Sequence, residues 1–207
     1  AAALRAERAG FDGVELHGAH GYVLSQFLSA EINGRGDRYG GTLENRARLL
    51  FEIVAAVRAR CRPDFLLGVR LSPERFGLRL GEIRDVAGQL LAGGAIDLLD
   101  LSLWDVFKEP EEPDFKGRSL LSYFTELDRG AVRIGAAGKV LGGADAQRVL
   151  DGGADFAIIG RGAILHHDFP RRVRADADFR AVSPPVTADY LRSEGLGPAF
   201  IAYMGNW

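Results

Sequence analysis

Five short apolar segments alternate with helix-like stretches along this chain, and that alternation constrains the fold more than any other feature. The strand-like segments lie near residues 13–17, 65–72, 97–103, 131–137 and 155–160. Helical periodicity runs through 43–57, 82–92 and 144–151, with a shorter helix near 120–127. Strands separated by helices at a roughly 30–40-residue repeat pair in parallel, through right-handed crossovers. The sequence therefore predicts an α/β protein on a parallel sheet, either a (β/α)8 barrel or a doubly wound open sheet.

Local signals set the element ends. Thr42 is a good N-cap for a helix whose apolar positions are Leu43, Ala47, Leu50, Phe51, Val54 and Val57, and Pro63 follows its end. Gly93-Gly94 stops the next helix. Ala1 to Ala9 reads as the end of an Ala/Arg-rich helix with no cap in front, so the expectation is a truncated chain. A single domain over 1–207 is expected, with a C-terminal extension over 182–207 that holds Pro184-Pro185 and a short helix near 188–193.

The two faces of each strand differ in chemistry. Leu67, Val69 and Leu71 face one way, and Gly68, Arg70 and Ser72 the other; Leu98, Asp100 and Ser102 share a face. His17, Arg70, Asp100 to Ser102, Gly138 and Gly160-Arg161 all fall at the C-terminal ends of successive strands. Active sites of (β/α)8 barrels are built there, often with a phosphate held after the last two strands. This placement favours the barrel.

The first strand ends in Gly13-Val14-Glu15-Leu16-His17-Gly18-Ala19-His20-Gly21-Tyr22. Gly18 and Gly21 let the backbone bend, and a turn brings positions i and i+3 to one side, so His17 and His20 converge beside Tyr22. Two imidazoles and a phenol can grip an oxygen and deliver a proton. The competing readings are ordinary polar histidines, or metal ligands with Glu15 nearby. Zinc needs three or four protein ligands and this spacing places no third, so no metal site is assigned.

Gly138-Lys139 and Gly160-Arg161 each lie where a strand runs toward a helix, where backbone N–H groups and a cation can meet a phosphate. Ordinary turns need glycine too, and Gly142-Gly143 competes with the first pair. No GxGxxG fingerprint follows a strand, so a separate dinucleotide fold is not indicated. Arg70, on an inward face, must meet a ligand or form an ion pair with Glu15 or Asp100.

HGAHGY, QFLS, N-x-R-x-D-x-YGG and ENRAR follow one another between His17 and Arg48. In this order they resemble the Old Yellow Enzyme (NADH:flavin oxidoreductase) family of ene-reductases, and the similarity continues along nearly the whole chain. The resemblance implies strands four to eight of a (β/α)8 barrel, with strands one to three missing. It implies FMN with its phosphate toward Gly138, Lys139, Gly160 and Arg161, and with Arg70 near N1 and C2=O. NAD(P)H would be the reductant and an α,β-unsaturated carbonyl the oxidant. His17 and His20 would bind the substrate oxygen and Tyr22 would supply the proton. The other reading is an inactive fragment, or a half-barrel that associates with a partner such as a second copy.

The composition adds exclusions. A net charge of -2 over 207 residues gives no electrostatic argument for nucleic acid or a membrane surface. The single Cys61 supplies neither a disulfide within the chain nor an iron–sulfur cluster. No apolar run would span a bilayer and no signal-peptide pattern opens the chain, so a cytoplasmic protein is expected.

Overall fold

The computed structural model describes residues 1–204. Helix α1 (Ala2–Arg8) precedes strand β1 (Gly13–Gly18), which is followed by α2 (Val23–Leu28) and α3 (Leu43–Arg58). Strand β2 (Leu66–Leu71) leads to α4 (Leu80–Ala92), and β3 (Leu98–Ser102) to a loop and the short α5 (Ser122–Thr125). Strand β4 (Arg133–Ala137) precedes α6 (Gly143–Asp151). Beyond β5 (Phe156–Ile158) come α7 (Arg161–Leu165), α8 (Phe169–Ala175), α9 (Ala188–Ser193) and α10 (Pro198–Met204).

All neighbouring strands pair in parallel, and the sheet order is the chain order, β1-β2-β3-β4-β5. A doubly wound sheet reverses its strand order at a switch point, and this one does not. Right-handed crossovers without a reversal place every connecting helix on one face, as in a barrel wall. The five strands form an arc whose edges are β1 and β5.

Strand periodicity decides what each face buries. Leu67, Val69, Leu71, Leu99, Leu101, Ile134 and Ala136 are fully buried against the helices. They pack with Leu50 and Val54 of α3, with Ile83, Val86 and Leu90 of α4, and with Phe124 and Val149. Each such Val, Leu, Ile or Phe side chain contributes about 1.5–3 kcal/mol by leaving water. The opposite, inner face carries Gly13, Glu15 and His17, then Gly68 and Arg70, then Asp100 and Ser102. Toward the N-terminal ends of the strands it forms a groove of about 830 Å³, lined by Gly13, Glu15, Leu66, Leu98, Arg133 and Phe156.

Thr42 caps α3 as expected, its hydroxyl accepting from the Asn45 N–H at 3.4 Å. Several boundaries move for identifiable reasons. Strand β4 starts at Arg133 because Val132 closes a turn onto the Arg129 carbonyl. Strand β5 is shorter than 155–160: Asp155 turns its carboxylate to the Ile134 N–H, and Gly160 already caps α7. The helix expected over 120–127 regularises only over α5, and the helix expected from 82 begins at Leu80.

The motifs between Asn33 and Arg48 are scaffolding. The Asn33 amide donates to the carbonyls of Phe27 and Tyr39 at 2.6 and 2.8 Å. Arg46 is 4 % exposed and makes a two-pronged ion pair with Glu82 of α4 at 2.9 and 2.6 Å. The same guanidinium donates to the carbonyls of Leu28 and Gly41. It thereby ties the end of α2, the following loop and α4 to one another. At the other end, α7, α9 and α10 form a small separate apolar cluster of Leu165, Leu191 and Met204.

Candidate active site

The turn after β1 is made by two left-handed residues, His20 (φ 60°) and Gly21 (φ 74°). Histidine adopts that conformation at a cost, and the Ser72 hydroxyl, accepting from the His20 N–H at 3.1 Å, holds it there. The turn brings the two imidazoles together, with His17 Nε2 and His20 Nδ1 3.2 Å apart. Tyr22 is 63 % exposed, its ring centroid 5.4 Å from that of His17.

From His20 a polar line crosses the strand ends. His20 Nε2 lies 2.7 Å from Ser102 Oγ, and an Arg70 N–H donates to the same oxygen at 3.3 Å. Burial first, and then the Arg70 charge, pushes both imidazoles below their ordinary range. Both are therefore neutral near pH 7. Arg70 Nε lies 3.2 Å from Asp100 Oδ2 as an ion pair, yet the N–H is out of line and this buried nitrogen has no hydrogen-bond partner. Of the two alternatives for Arg70, ion pair or ligand contact, the structure supplies the first and leaves a donor over.

Ser102 also lines a second cleft, of about 170 Å³, with Trp104, Gly138, Lys139, Gly160 and Arg161. All four residues expected around a phosphate thus share one cleft, and it joins the histidine site through Ser102. Their local roles differ. Gly138 (φ 152°) is needed for packing, because a Cβ there would lie 2.8 Å from the Val106 nitrogen. Lys139 is left-handed (φ 53°), and its ammonium is 2.9 Å from Asp105. At Gly160 a Cβ would meet nothing within 4 Å, so this backbone faces open space. The competing pair, Gly142-Gly143, is packed against the carbonyls of Phe179 and Ala177 instead, away from the cleft.

The sequence reading did not single out Ser72 or Trp104. Ser72 shares the face of Arg70, and that alternation was its only signal. Trp104 is 54 % exposed and left-handed (φ 61°). Its ring has the Arg75 guanidinium 4.3 Å and the Arg161 guanidinium 5.7 Å from its centre. Nothing in the local sequence announces that arrangement.

Comparison with known proteins gives a consistent result. The chain is 36% identical over 199 residues to an NADPH dehydrogenase of Bacillus cytotoxicus, covering 94% of this chain and 55% of that protein. An NADH oxidase of Thermoanaerobacter brockii is 33% identical over 181 residues, covering 84% of this chain and 28% of that protein. Among solved structures, morphinone reductase in complex with tetrahydroNAD matches at 33% identity with a TM-score of 0.68, over 91% of this chain and 49% of that one. The chain thus spans about half the length of the first of these relatives and of the structure it matches. The five-stranded sheet corresponds to part of a (β/α)8 barrel. A family model matches residues 1–178, and the chain belongs to the NADH:flavin oxidoreductase / NADH oxidase family.

Proposed function

We propose that this chain carries the flavin- and substrate-facing part of an FMN-dependent oxidoreductase that uses NAD(P)H to reduce an activated C=C bond, of the enone type. The observation that carries the reading is the continuous line from the paired imidazoles through Ser102 to Arg70 and the adjoining cation-lined cleft. The residues fit a flavin. The unpartnered buried Arg70 nitrogen offers a charged donor, and Lys139, Arg161 and the open Gly160 backbone suit a phosphate. A flavin held there by Arg70, Lys139, Arg161 and the Gly160 backbone would supply the hydride-transfer chemistry between NAD(P)H and an activated C=C bond of the enone type.

The chain's own residues bind, orient and hold the proton. The Arg70 N–H donates to Ser102 Oγ, which frees the Ser102 hydroxyl hydrogen for His20 Nε2. That bond puts the His20 proton on Nδ1, beside His17 Nε2. In the free site the His20 Nδ1–H donates to His17 Nε2; with substrate present and the His17 proton on Nε2, both ring N–H groups can turn to one oxygen, so a carbonyl seated there receives two hydrogen bonds and its double bond is polarised. Neutral imidazoles do this without placing a charge on the oxygen. Tyr22, beside His17 and open to solvent, holds the proton for the α-carbon.

A second reading is favoured by the edges of the arc. With β1 and β5 unpaired on one side and Leu66 54 % exposed on the inner face, the chain is a half-barrel that associates with a partner or a second copy and turns nothing over alone. Reconstitution with FMN decides between them. The first reading expects yellow protein after desalting, with Arg161→Ala weakening retention by about 1.5–3 kcal/mol through a lost charge-assisted contact. Colourless protein supports the second reading, and unchanged affinity in the variant means the phosphate lies elsewhere.

A further inference from the structure

We propose that Phe76 is a positioning residue for the histidine pair: its ring rests on Gly21 and holds the turn that brings His17 and His20 together, and the buried Glu74–Lys108 ion pair braces the loop that carries the ring. The consequence for turnover rests on the function proposed above; the clamp itself does not.

The loop follows β2, and its backbone is strained. Arg75 (φ 70°), Phe76 (φ 54°) and Gly77 (φ 68°) are left-handed in succession, and only the glycine adopts that conformation freely. Such strain persists only where the surroundings over-determine it, and here they do. Arg75 and Leu78 close the loop as an antiparallel bridge, the Leu78 N–H donating to the Arg75 carbonyl at 2.9 Å. The Gly77 carbonyl accepts from the Ser29 hydroxyl at 3.0 Å and from the Ala30 N–H at 3.1 Å, which ties the loop to the end of α2.

The second tie is ionic. Glu74 is 6 % exposed, and Lys108, from the loop after β3, sets its ammonium 2.8 Å from Glu74 Oε2 and 2.7 Å from Glu111. The Glu111 N–H donates to Glu74 Oε1, and the Leu80 N–H donates to Glu112. Carboxylate-to-backbone bonds thus run in both directions between the two loops, around one buried pair. Stranding either member of such a pair is expensive, so the pair fixes how the loops sit against each other.

What this bracing sets is the place of one ring. A Cβ at Gly21 would lie 2.9 Å from Phe76 Cδ1 and 3.3 Å from its Cγ, so the ring rests on the bare Cα of the turn. Gly21 stands between His20 and Tyr22, and with His20 it makes the two left-handed steps. Ser72 holds the first step by accepting from the His20 N–H. Phe76, four residues on, holds the second. One segment, residues 72–77, therefore secures both steps, once by a hydrogen bond and once by packing. The 3.2 Å between His17 Nε2 and His20 Nδ1, and the 2.7 Å between His20 Nε2 and Ser102 Oγ, both depend on that turn. Phe76 is 37 % exposed and lines a small cleft with His20, Ser102 and Trp104, so the ring borders the site.

Long-range 1H–15N NMR of the imidazoles in the folded chain tests the clamp without any cofactor. Of the four histidines, His17 and His20 report on the turn, and His166 and His167, at the end of α7, serve as internal controls. Phe76→Ala should move the His17 and His20 ring-nitrogen signals toward those of free imidazole and leave the controls in place. Phe76→Tyr, which keeps the ring, should keep the wild-type spectrum, and Glu74→Gln should shift the same two residues as Phe76→Ala. Unmoved His17 and His20 in a folded Phe76→Ala, or equal shifts in all four histidines, overturn the proposal; unmoved signals in Glu74→Gln overturn the brace. Should Phe76→Ala fail to fold, Phe76→Leu is read by the same two criteria. In flavin-loaded protein, Phe76→Ala should slow reoxidation by an enone at least about tenfold and leave reduction by NAD(P)H near its original rate, since misplaced groups slow the step they serve. Histidine shifts in a chain that binds no flavin refute the proposed function and leave the clamp standing; bound flavin with unmoved histidines does the reverse.

Discussion

Arg46→Met should unfold this protein more easily than any comparable surface change, because one guanidinium closes three connections. Methionine keeps the length and the apolar stem but removes the charge, so the loss isolates the head group. Its partner Glu82 has a side chain 24 % exposed against 5 % for Arg46. Removing one member of a buried pair costs about 3–5 kcal/mol, and the residual water at Glu82 places this case near the lower end, about 3 kcal/mol. The carbonyls of Leu28 and Gly41 lose their donor as well, at about 1 kcal/mol each. Total losses of about 4–5 kcal/mol are a large part of a domain's stability. Arg46→Met with Glu82→Leu should recover the part due to the stranded carboxylate and leave about 2 kcal/mol for the two carbonyls. Urea unfolding followed by circular dichroism, run as a double-mutant cycle, reads both quantities. A loss below about 1 kcal/mol in Arg46→Met, the value of an exposed pair, would show that Arg46 pins nothing.

Three other outcomes are expected. Tyr22→Phe should slow flavin reoxidation by an enone by about 100-fold while leaving reduction by NAD(P)H near its original rate, since only reoxidation takes a proton; reoxidation at the wild-type rate in stopped-flow would remove Tyr22 from the chemistry. His166 is 3 % exposed, accepts from the Val182 N–H and is pushed below its ordinary range by burial and then Arg172. The unfolded chain therefore takes up that proton first as pH falls below the ordinary histidine value of about 6.5, so stability should decline there and His166→Asn should flatten the decline; an unaltered slope counts against it. The inner face should drive the 22.4 kDa chain to self-associate, and Leu66→Lys should reduce that association in sedimentation; a wild-type monomer with a sharp melt contradicts this.

Much of this was legible because strand periodicity is a local property. The alternation of Leu67, Val69 and Leu71 with Gly68 and Arg70 assigns both faces of β2 without any tertiary knowledge. The i, i+3 spacing of His17 and His20 implied the turn that the two left-handed residues make. Short helices were legible unevenly: α1 and α9 were expected, whereas α2, α7, α8 and α10, five to seven residues long and fewer than two turns, are too short for a helical period to separate from noise. Gly138-Lys139 and Gly142-Gly143 are equivalent as text. What separates them is a distant segment, residues 177–180, folding back over the second pair. Ser102 was assigned a face but not a role, since a serine on a strand looks the same whether or not a histidine and an arginine converge on it.

Trp104 sets a term of exchange between stability and site. A bulky side chain at a left-handed backbone position costs about 1 kcal/mol or more, a cost that glycine would not incur. More than half of this indole is in contact with solvent, so the core gains little from its presence. A screen that selects only for thermal stability should therefore drift toward glycine at this position and strip the indole from between Arg75 and Arg161. A screen for turnover should resist that drift wherever the ring is needed at the rim of the cleft. Position 104 is thus a place where the two selections can be told apart by sequencing the survivors.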